Sequence, residues 1–203
     1  MPRKQRLCDV LAEAIFPSRK FRWIVSFMSS YESALVVLVP ESDAVVGSFR
    51  DRYDPSAAEG VPAHITLLYP FKSPDAIDDA TLRKLSNCFL GHGPIQFSLS
   101  AMRRLPTAVL YLAPQPDEPF RQLTLAIWSL FPQFPPYGGK WPEIVPHLTA
   151  AQLANEQQFT AVAEEFAKAS HGKLPIDAIA TEVALMDNWS GRWTVRATFS
   201  LGT

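Results

Sequence analysis

The chain has 203 residues, of which 47% are hydrophobic and 19% are charged. This composition excludes disordered proteins, which are rich in charge and poor in apolar residues, and it predicts one large globular domain or one domain with an appendage. Lys and Arg number 19 against 20 Asp and Glu. The chain therefore lacks the strong positive charge with which nonspecific nucleic-acid binders displace counterions from many phosphates.

Disulfide-rich and membrane-spanning proteins are also disfavoured. Cys8 and Cys88 are the only cysteines, which is too few for a disulfide framework, so we expect free thiols and a cytoplasmic protein. The longest apolar run, at residues 33–40, is much shorter than the roughly 20 residues of a membrane-spanning helix. We expect no membrane partner, and we expect a monomer.

The first 28 residues differ from the rest of the chain. They carry six Lys and Arg against one Asp and one Glu. No apolar segment with a cleavage site follows them, as a secretory signal would require. We therefore predict a basic N-terminal extension over residues 1–28, either loosely ordered or an over-long gene start, and a single domain over residues 29–203.

From residue 34 onward, strand-like and helix-like segments alternate, with Pro and Gly between them. Runs rich in β-branched and aromatic residues predict strands at residues 34–39, 64–71, 95–104, 108–113 and 147–152. Apolar residues at helical spacing predict helices at residues 43–53, 75–90, 118–131 and around 159–166. The last segment reads as a hairpin with arms at 178–186 and 192–201. Together these elements predict a compact mixed domain.

One short pattern occurs twice. His64-Ile65-Thr66 returns later in the chain as His147-Leu148-Thr149, and each copy opens a predicted strand shortly after a proline. With four histidines in the chain, two such matches arise by chance on the order of 1 to 2% of the time. Side chains two residues apart lie on the same face of a strand. Two imidazoles and two hydroxyls can therefore converge on one groove.

These residue types suit proton transfer at a phosphorus centre. Imidazole titrates near neutral pH, so one His can accept a proton while the other donates one. Thr hydroxyls can hydrogen-bond the non-bridging phosphate oxygens. The remaining histidines, His92 and His171, form no compact ligand set with the cysteines, and zinc needs three or four such ligands. We expect neither a metal nor another cofactor.

The paired His-x-Thr motifs, about half a domain apart, resemble the 2H phosphoesterases, which include 2'-5' RNA ligase-like proteins and RNA 2',3'-cyclic phosphodiesterases. The likeness extends over about residues 34–201 and includes segments 64–71, 136–140, 145–149 and 183–201. It implies an α+β bilobal fold, with two pseudo-symmetric lobes of antiparallel sheet and outer helices around a central groove.

The resemblance also implies roles for the motif residues. His64 and His147 would be the acid and base, and Thr66 and Thr149 the phosphate ligands. The second motif departs slightly from the family pattern, because the small Ala150 stands where an aliphatic residue is common. This departure leaves the catalytic atoms intact and can loosen the packing behind them.

Other residues near the motifs and in the predicted turns are candidates for substrate binding, with a solvated surface position as the alternative for each. They are Tyr137, Lys140, Arg104, Trp189 and Arg192. Tyr69, three residues after the first motif's Thr66, is expected on the face opposite His64 and therefore in the core.

The expected function is metal-independent hydrolysis of a 2',3'-cyclic phosphate at an RNA end, or of a small cyclic-phosphate or 2'-5'-linked nucleotide, with a place in RNA processing. The same groups acting in reverse would perform 2'-5' RNA ligation. Two alternatives stay open. The substrate can be an ADP-ribose cyclic phosphate, or the protein can be a non-catalytic module of the same fold that binds RNA ends or nucleotides.

Overall fold

The computed structural model describes residues 31–202, so the predicted extension over residues 1–28 lies outside the described part. The strands there are β1 (Ser33–Leu38), β2 (His64–Leu68), β3 (Ile95–Leu105), β4 (Val109–Gln115), β5 (Leu148–Gln152), β6 (Ile176–Ala180), β7 (Glu182–Asp187) and β8 (Thr194–Ser200). The α-helices are α1 (Asp43–Tyr53), α2 (Pro55–Ala58), α3 (Asp79–Leu90), α4 (Glu118–Leu130) and α5 (Glu156–Ala169). Short 3₁₀ helices lie at Pro40–Ser42, Pro74–Ala76 and Pro136–Gly139.

The strands form one sheet in the order β6-β3-β4-β5-β2-β1-β7-β8, and every pairing in it is antiparallel. The two central strands, β2 and β5, meet at the pair Ile65 and Leu148. Outward from this junction, the first lobe runs β2-β1-β7-β8 and the second lobe runs β5-β4-β3-β6. The matching orders give the lobes a pseudo-two-fold relation, and the predicted bilobal α+β fold is confirmed.

Helices cover one face of the sheet and leave the other face to the groove. In β1, Leu35 and Val37 point into the large core shared with the helices, whereas Ala34 and Val36 belong to a small apolar cluster on the opposite face. Helix α1 packs against β5, and α4 packs against β2. Each of these helices therefore crosses onto the central strand of the other lobe, which fastens the two lobes across their short junction.

Most predicted elements are confirmed, but the last hairpin is not built as expected. The predicted arm at 178–186 is two strands separated by Thr181: β6 pairs with β3, and β7 pairs with β1 and β8. Because one residue joins strands of opposite lobes, the sheet must curl until its two ends approach. The predicted helix at 75–90 begins later, at Asp79, where Asp78 caps it by accepting from the Thr81 N–H at 2.8 Å.

Two further expectations concern membranes and thiols. Among the helices of residues 31–202, none has the length and apolar character needed to cross a membrane. Cys88 is a free, half-buried thiol on α3, and Cys8 lies outside the described residues.

Candidate active site

The two His-x-Thr motifs meet at the centre of the sheet. His64 begins β2, and His147 immediately precedes β5, so the Ile65 and Leu148 pair holds the motifs side by side. The central residue of each motif points into the core, whereas each His and Thr points to the opposite face and lines a cavity of about 360 Å³. The structure thus brings the four motif side chains into one groove.

Both imidazoles are held in the same way. The Nδ1 of His64 lies 2.8 Å from the carbonyl oxygen of Pro62, and the Nδ1 of His147 lies 2.6 Å from that of Val145. A carbonyl oxygen can only accept, so each Nδ1 carries the hydrogen. In the neutral ring this leaves the opposite nitrogen, Nε2, as the acceptor. Each lobe therefore offers one oriented proton acceptor to the groove.

The surroundings of both imidazoles favour the neutral form over the protonated one. Burial is the main reason that the pKa of His64 is lowered to about 4, and the positive charges of Arg50 and of a protonated His147 act in the same direction. The Pro62 carbonyl and Asp54 act in the opposite direction but more weakly than burial. Burial also lowers the pKa of His147. A protonated His147 therefore disfavours protonation of His64, although more weakly than burial does.

Tyr137 connects the two motifs. Its ring stacks on the His147 ring at 6.3 Å and 23°, and its hydroxyl interacts with Thr66 of the other motif. Burial raises the pKa of Tyr137 to about 12, so the hydroxyl stays protonated at neutral pH. The backbone of Tyr137 is left-handed, with φ 52°, a conformation that costs a non-glycine residue roughly 1–2 kcal/mol. Its backbone N–H donates to the backbone carbonyl oxygen of Tyr69 at 2.6 Å, and this hydrogen bond holds the conformation in place.

The first lobe supplies a second wall of the groove. Tyr69 donates its hydroxyl hydrogen to Glu32 at 2.8 Å, and the Trp193 Nε1–H donates to Glu59 at 3.2 Å. All four residues line the cavity. The prediction that Tyr69 lies in the core on the face opposite His64 is therefore wrong. Strand β2 ends at Leu68, so the alternation of faces no longer applies to the next residue.

Comparison with known proteins gives a family match. Residues 38–192, which contain both motifs, match the family model of the 2'-5' RNA ligase superfamily. The chain belongs to the 2'-5' RNA ligase superfamily. Membership indicates an enzyme of the 2H phosphoesterase or ligase type. A comparison with curated proteins found no match.

Solved structures of superfamily members share the fold. E. coli LigT complexed with 3'-AMP superposes with a TM-score of 0.53 at 16% identity, covering 85% of this chain and 98% of LigT. TT0787 of Thermus thermophilus gives a TM-score of 0.50 at 15% identity, covering 84% of this chain and 97% of that one. Both relatives belong to the 2H phosphoesterase superfamily.

Of the five peripheral candidates from the sequence, Tyr137 alone lines the described groove. Arg104 is engaged elsewhere, since its guanidinium forms two 2.6 Å bonds to Glu156 and lies over the Phe159 ring. The other three are exposed residues outside the lining: Lys140, Trp189 and Arg192. The Trp189 ring packs against the Tyr31 ring at a tilt of 46°, and Arg192 lies close to Gly60.

The sequence analysis missed one residue that lines the groove and one that lies beside it, Gln152 and Tyr111. Tyr111 lies 5.5 Å from the His147 ring and pairs with Thr149 across the sheet, so alternation in the predicted hairpin could have found it. Gln152 lines the groove because the register between β4 and β5 shifts there, with Ala150 as the extra residue of a bulge. Ala150 itself is fully buried in the core. No local signal marks such a bulge.

A buried ion pair supports the loop beside His64. Arg50 and Asp54 lie 3.1 Å apart, with side chains only 4% and 1% exposed. Arg50 also donates to the Val61 carbonyl at 2.8 Å, and Asp54 accepts from the Ser56 N–H at 3.0 Å. The pair therefore joins α1 to the segment that enters β2. Within residues 31–202, no group of three His, Cys, Asp or Glu side chains is arranged to hold a metal ion.

Proposed function

We propose that the protein is a metal-independent phosphodiesterase that opens a 2',3'-cyclic phosphate on a nucleotide or at an RNA end. The observation that carries this proposal is the pair of imidazoles in one groove, each fixed by an Nδ1–H bond that leaves Nε2 for proton transfer. Superfamily membership supports the reaction type. The complex of LigT with 3'-AMP supports a nucleotide ligand.

In the proposed reaction, water attacks the phosphorus of the cyclic ester. One imidazole accepts a proton from the attacking water as the new P–O bond forms. The bond from phosphorus to one ribose oxygen breaks, and the second imidazole, in its protonated form, donates a proton to that oxygen. The product is a nucleoside monophosphate with a free ribose hydroxyl. The negative charge of the bound phosphate raises the pKa of the neighbouring imidazole, and this favours the protonated form that the reaction needs.

The neighbouring hydroxyls stabilise the charge that develops on phosphate. Thr66 and Thr149 share the face of the two histidines and would donate to non-bridging oxygens. Tyr137, with its raised pKa, would act as a third neutral donor. Hydrogen-bond donors that are already oriented toward this charge lower the activation free energy more than donors that must reorganise during the reaction.

Ligation uses the same groups in the same roles. A ribose hydroxyl takes the place of water and attacks the cyclic phosphate, one imidazole accepts its proton, and the other donates a proton to the departing ribose oxygen. A 5'-hydroxyl in this position, with cleavage of the bond from phosphorus to the 3' oxygen, gives a 2'-5' linkage and a free 3'-hydroxyl, and the superfamily description supports this product. Hydrolysis is favoured in dilute solution, whereas ligation requires two RNA ends held together.

A substrate panel with chelator tests the proposal. The purified full chain, in excess EDTA, is offered 2',3'-cyclic nucleotides, RNA with a cyclic-phosphate end, 2'-5'-linked oligonucleotides and an ADP-ribose cyclic phosphate. We expect turnover of the first two, undiminished by EDTA and equal in the matched control His171→Ala, whose imidazole is exposed in the turn after α5 and does not line the groove. Activity that disappears with EDTA would contradict the proposal. Tight binding of cyclic nucleotides without turnover would favour a binding module instead.

A further inference from the structure

The groove continues beyond the catalytic motifs along the first lobe, where four side chains form a continuous array. We call it the aromatic–carboxylate wall: Glu32, Tyr69, Trp193 and Glu59. The Tyr69 and Trp193 rings lie 6.3 Å apart at 62°, and each donates a hydrogen to one of the two carboxylates. Both glutamates act electrostatically on the Tyr69 hydroxyl. The wall is therefore one connected unit rather than four separate surface residues.

The space beside the wall suits a flat aromatic group. Val36, Val61 and Met186 line the same cavity and belong to a buried apolar cluster, against which Tyr69 and Trp193 pack. Neither aromatic ring is fully buried, so each retains accessible surface for a ligand. The cavity volume of about 360 Å³ lies in the range of small-molecule sites, roughly 300–1,000 Å³. An aromatic ring on an apolar floor is a common way to bind an unstacked base.

The carboxylates determine what the edge of such a base must present. An ionised carboxylate only accepts hydrogen bonds, and its two oxygens offer about four acceptor sites. Glu32 and Glu59 each use one oxygen to accept from the aromatic partner, which leaves capacity for a ligand. They therefore attract N–H donors and repel carbonyl oxygens. They also repel a second phosphate, which favours a single or terminal nucleotide at this end of the groove.

We propose that the aromatic–carboxylate wall is a nucleobase subsite that selects bases with N–H donors on the Watson–Crick edge, guanine most strongly, and disfavours uracil. The inference rests on the proposed function, because it assigns the base that accompanies the reacting phosphate. Guanine presents its N1–H and N2 amino group side by side, which matches the two oxygens of one carboxylate. Adenine and cytosine each present one amino group. Uracil presents one N–H between two carbonyl oxygens, which the carboxylates repel.

Equilibrium binding tests this subsite without requiring turnover. Isothermal titration calorimetry of the full chain with 3'-GMP, 3'-AMP, 3'-CMP and 3'-UMP should give the tightest binding for 3'-GMP. Binding of 3'-UMP should be about 5- to 150-fold weaker, given the usual discrimination of a bidentate contact. Glu59→Gln and Glu32→Gln keep an acceptor oxygen for Trp193 and Tyr69. At least one of these variants should reduce the preference several-fold, whereas the matched control Glu164→Gln, exposed on α5, should keep it.

Steady-state kinetics with the four 2',3'-cyclic nucleotides separates this inference from the proposed function. Guanine preference in binding, without turnover of any cyclic nucleotide, would contradict the catalytic proposal and leave the subsite standing. Turnover of all four with equal kcat/KM would support catalysis and overturn the subsite. A preference that survives in both glutamate variants would also overturn it. Thermal melting of each variant confirms that a lost preference comes from a folded protein.

Discussion

Replacing Tyr137 by Phe removes one hydroxyl while keeping the ring that stacks on His147. The backbone of Tyr137 is held in a left-handed conformation, and strain of this kind clusters at functional sites. If the hydroxyl donates to the phosphoryl oxygen in the transition state, its loss should lower kcat by about 10²- to 10³-fold, the usual cost of one such donor. KM should change little, because the lost contact strengthens only as charge develops.

The stability effect should be much smaller than the catalytic one. The variant loses the interaction between the Tyr137 hydroxyl and Thr66, and one such hydrogen bond contributes about 0.5–1.5 kcal/mol. For a chain of this length, each kcal/mol shifts the melting temperature by about 2–4 °C. We would measure kcat, KM and the thermal melt, with Tyr53→Phe as control because that ring packs against the core. Wild-type kcat in Tyr137→Phe would refute the assigned role.

Further predictions concern pH and the buried ion pair. Because the pKa values of His64 and His147 are both lowered, and a two-imidazole mechanism works best between the two values, kcat/KM should peak below pH 6.5; an optimum above pH 7 would contradict this. Because burial lowers the pKa of His64 to about 4, the folded protein should lose stability as the pH drops from 6.5 through about 4. Thermal melts over this pH range should show this loss in the wild type and not in His64→Asn. Arg50→Met should lower the free energy of unfolding, measured in urea, by about 3–5 kcal/mol because it leaves Asp54 unpaired. The double variant with Asp54→Asn should recover part of this stability. Additive losses from the two substitutions would contradict the prediction.

The centre of the groove was predictable because it depends on local rules. Alternation along a strand places each His and Thr on one face, and the repeated motif places one copy in each lobe. The pairing of Ile65 with Leu148 then follows from the pseudo-symmetric topology rather than from any local signal. Helix α1 was predicted with its observed bounds because its apolar residues repeat at helical spacing.

The second wall was not predictable because its residues come from distant parts of the chain. Glu32, Glu59 and Trp193 meet only after the sheet curls and the loop after α1 folds back. Tyr69 and Gln152 were misplaced or missed for a different reason: a strand end and a bulge interrupt the two-residue period on which the prediction relied. Long-range closure and local irregularity are the features that sequence patterns describe least well.

The central claim is that His64 and His147 act as one acid–base unit on a phosphate ester. The most direct measurement is kcat for His64→Ala, His147→Ala and the double variant on the best cyclic nucleotide. Each single change should lower kcat by about 10²- to 10⁴-fold, and the double variant should be little worse than the poorer single one, because members of a unit are strongly non-additive. Near-wild-type kcat in either single variant, with the fold intact by circular dichroism, would contradict the account.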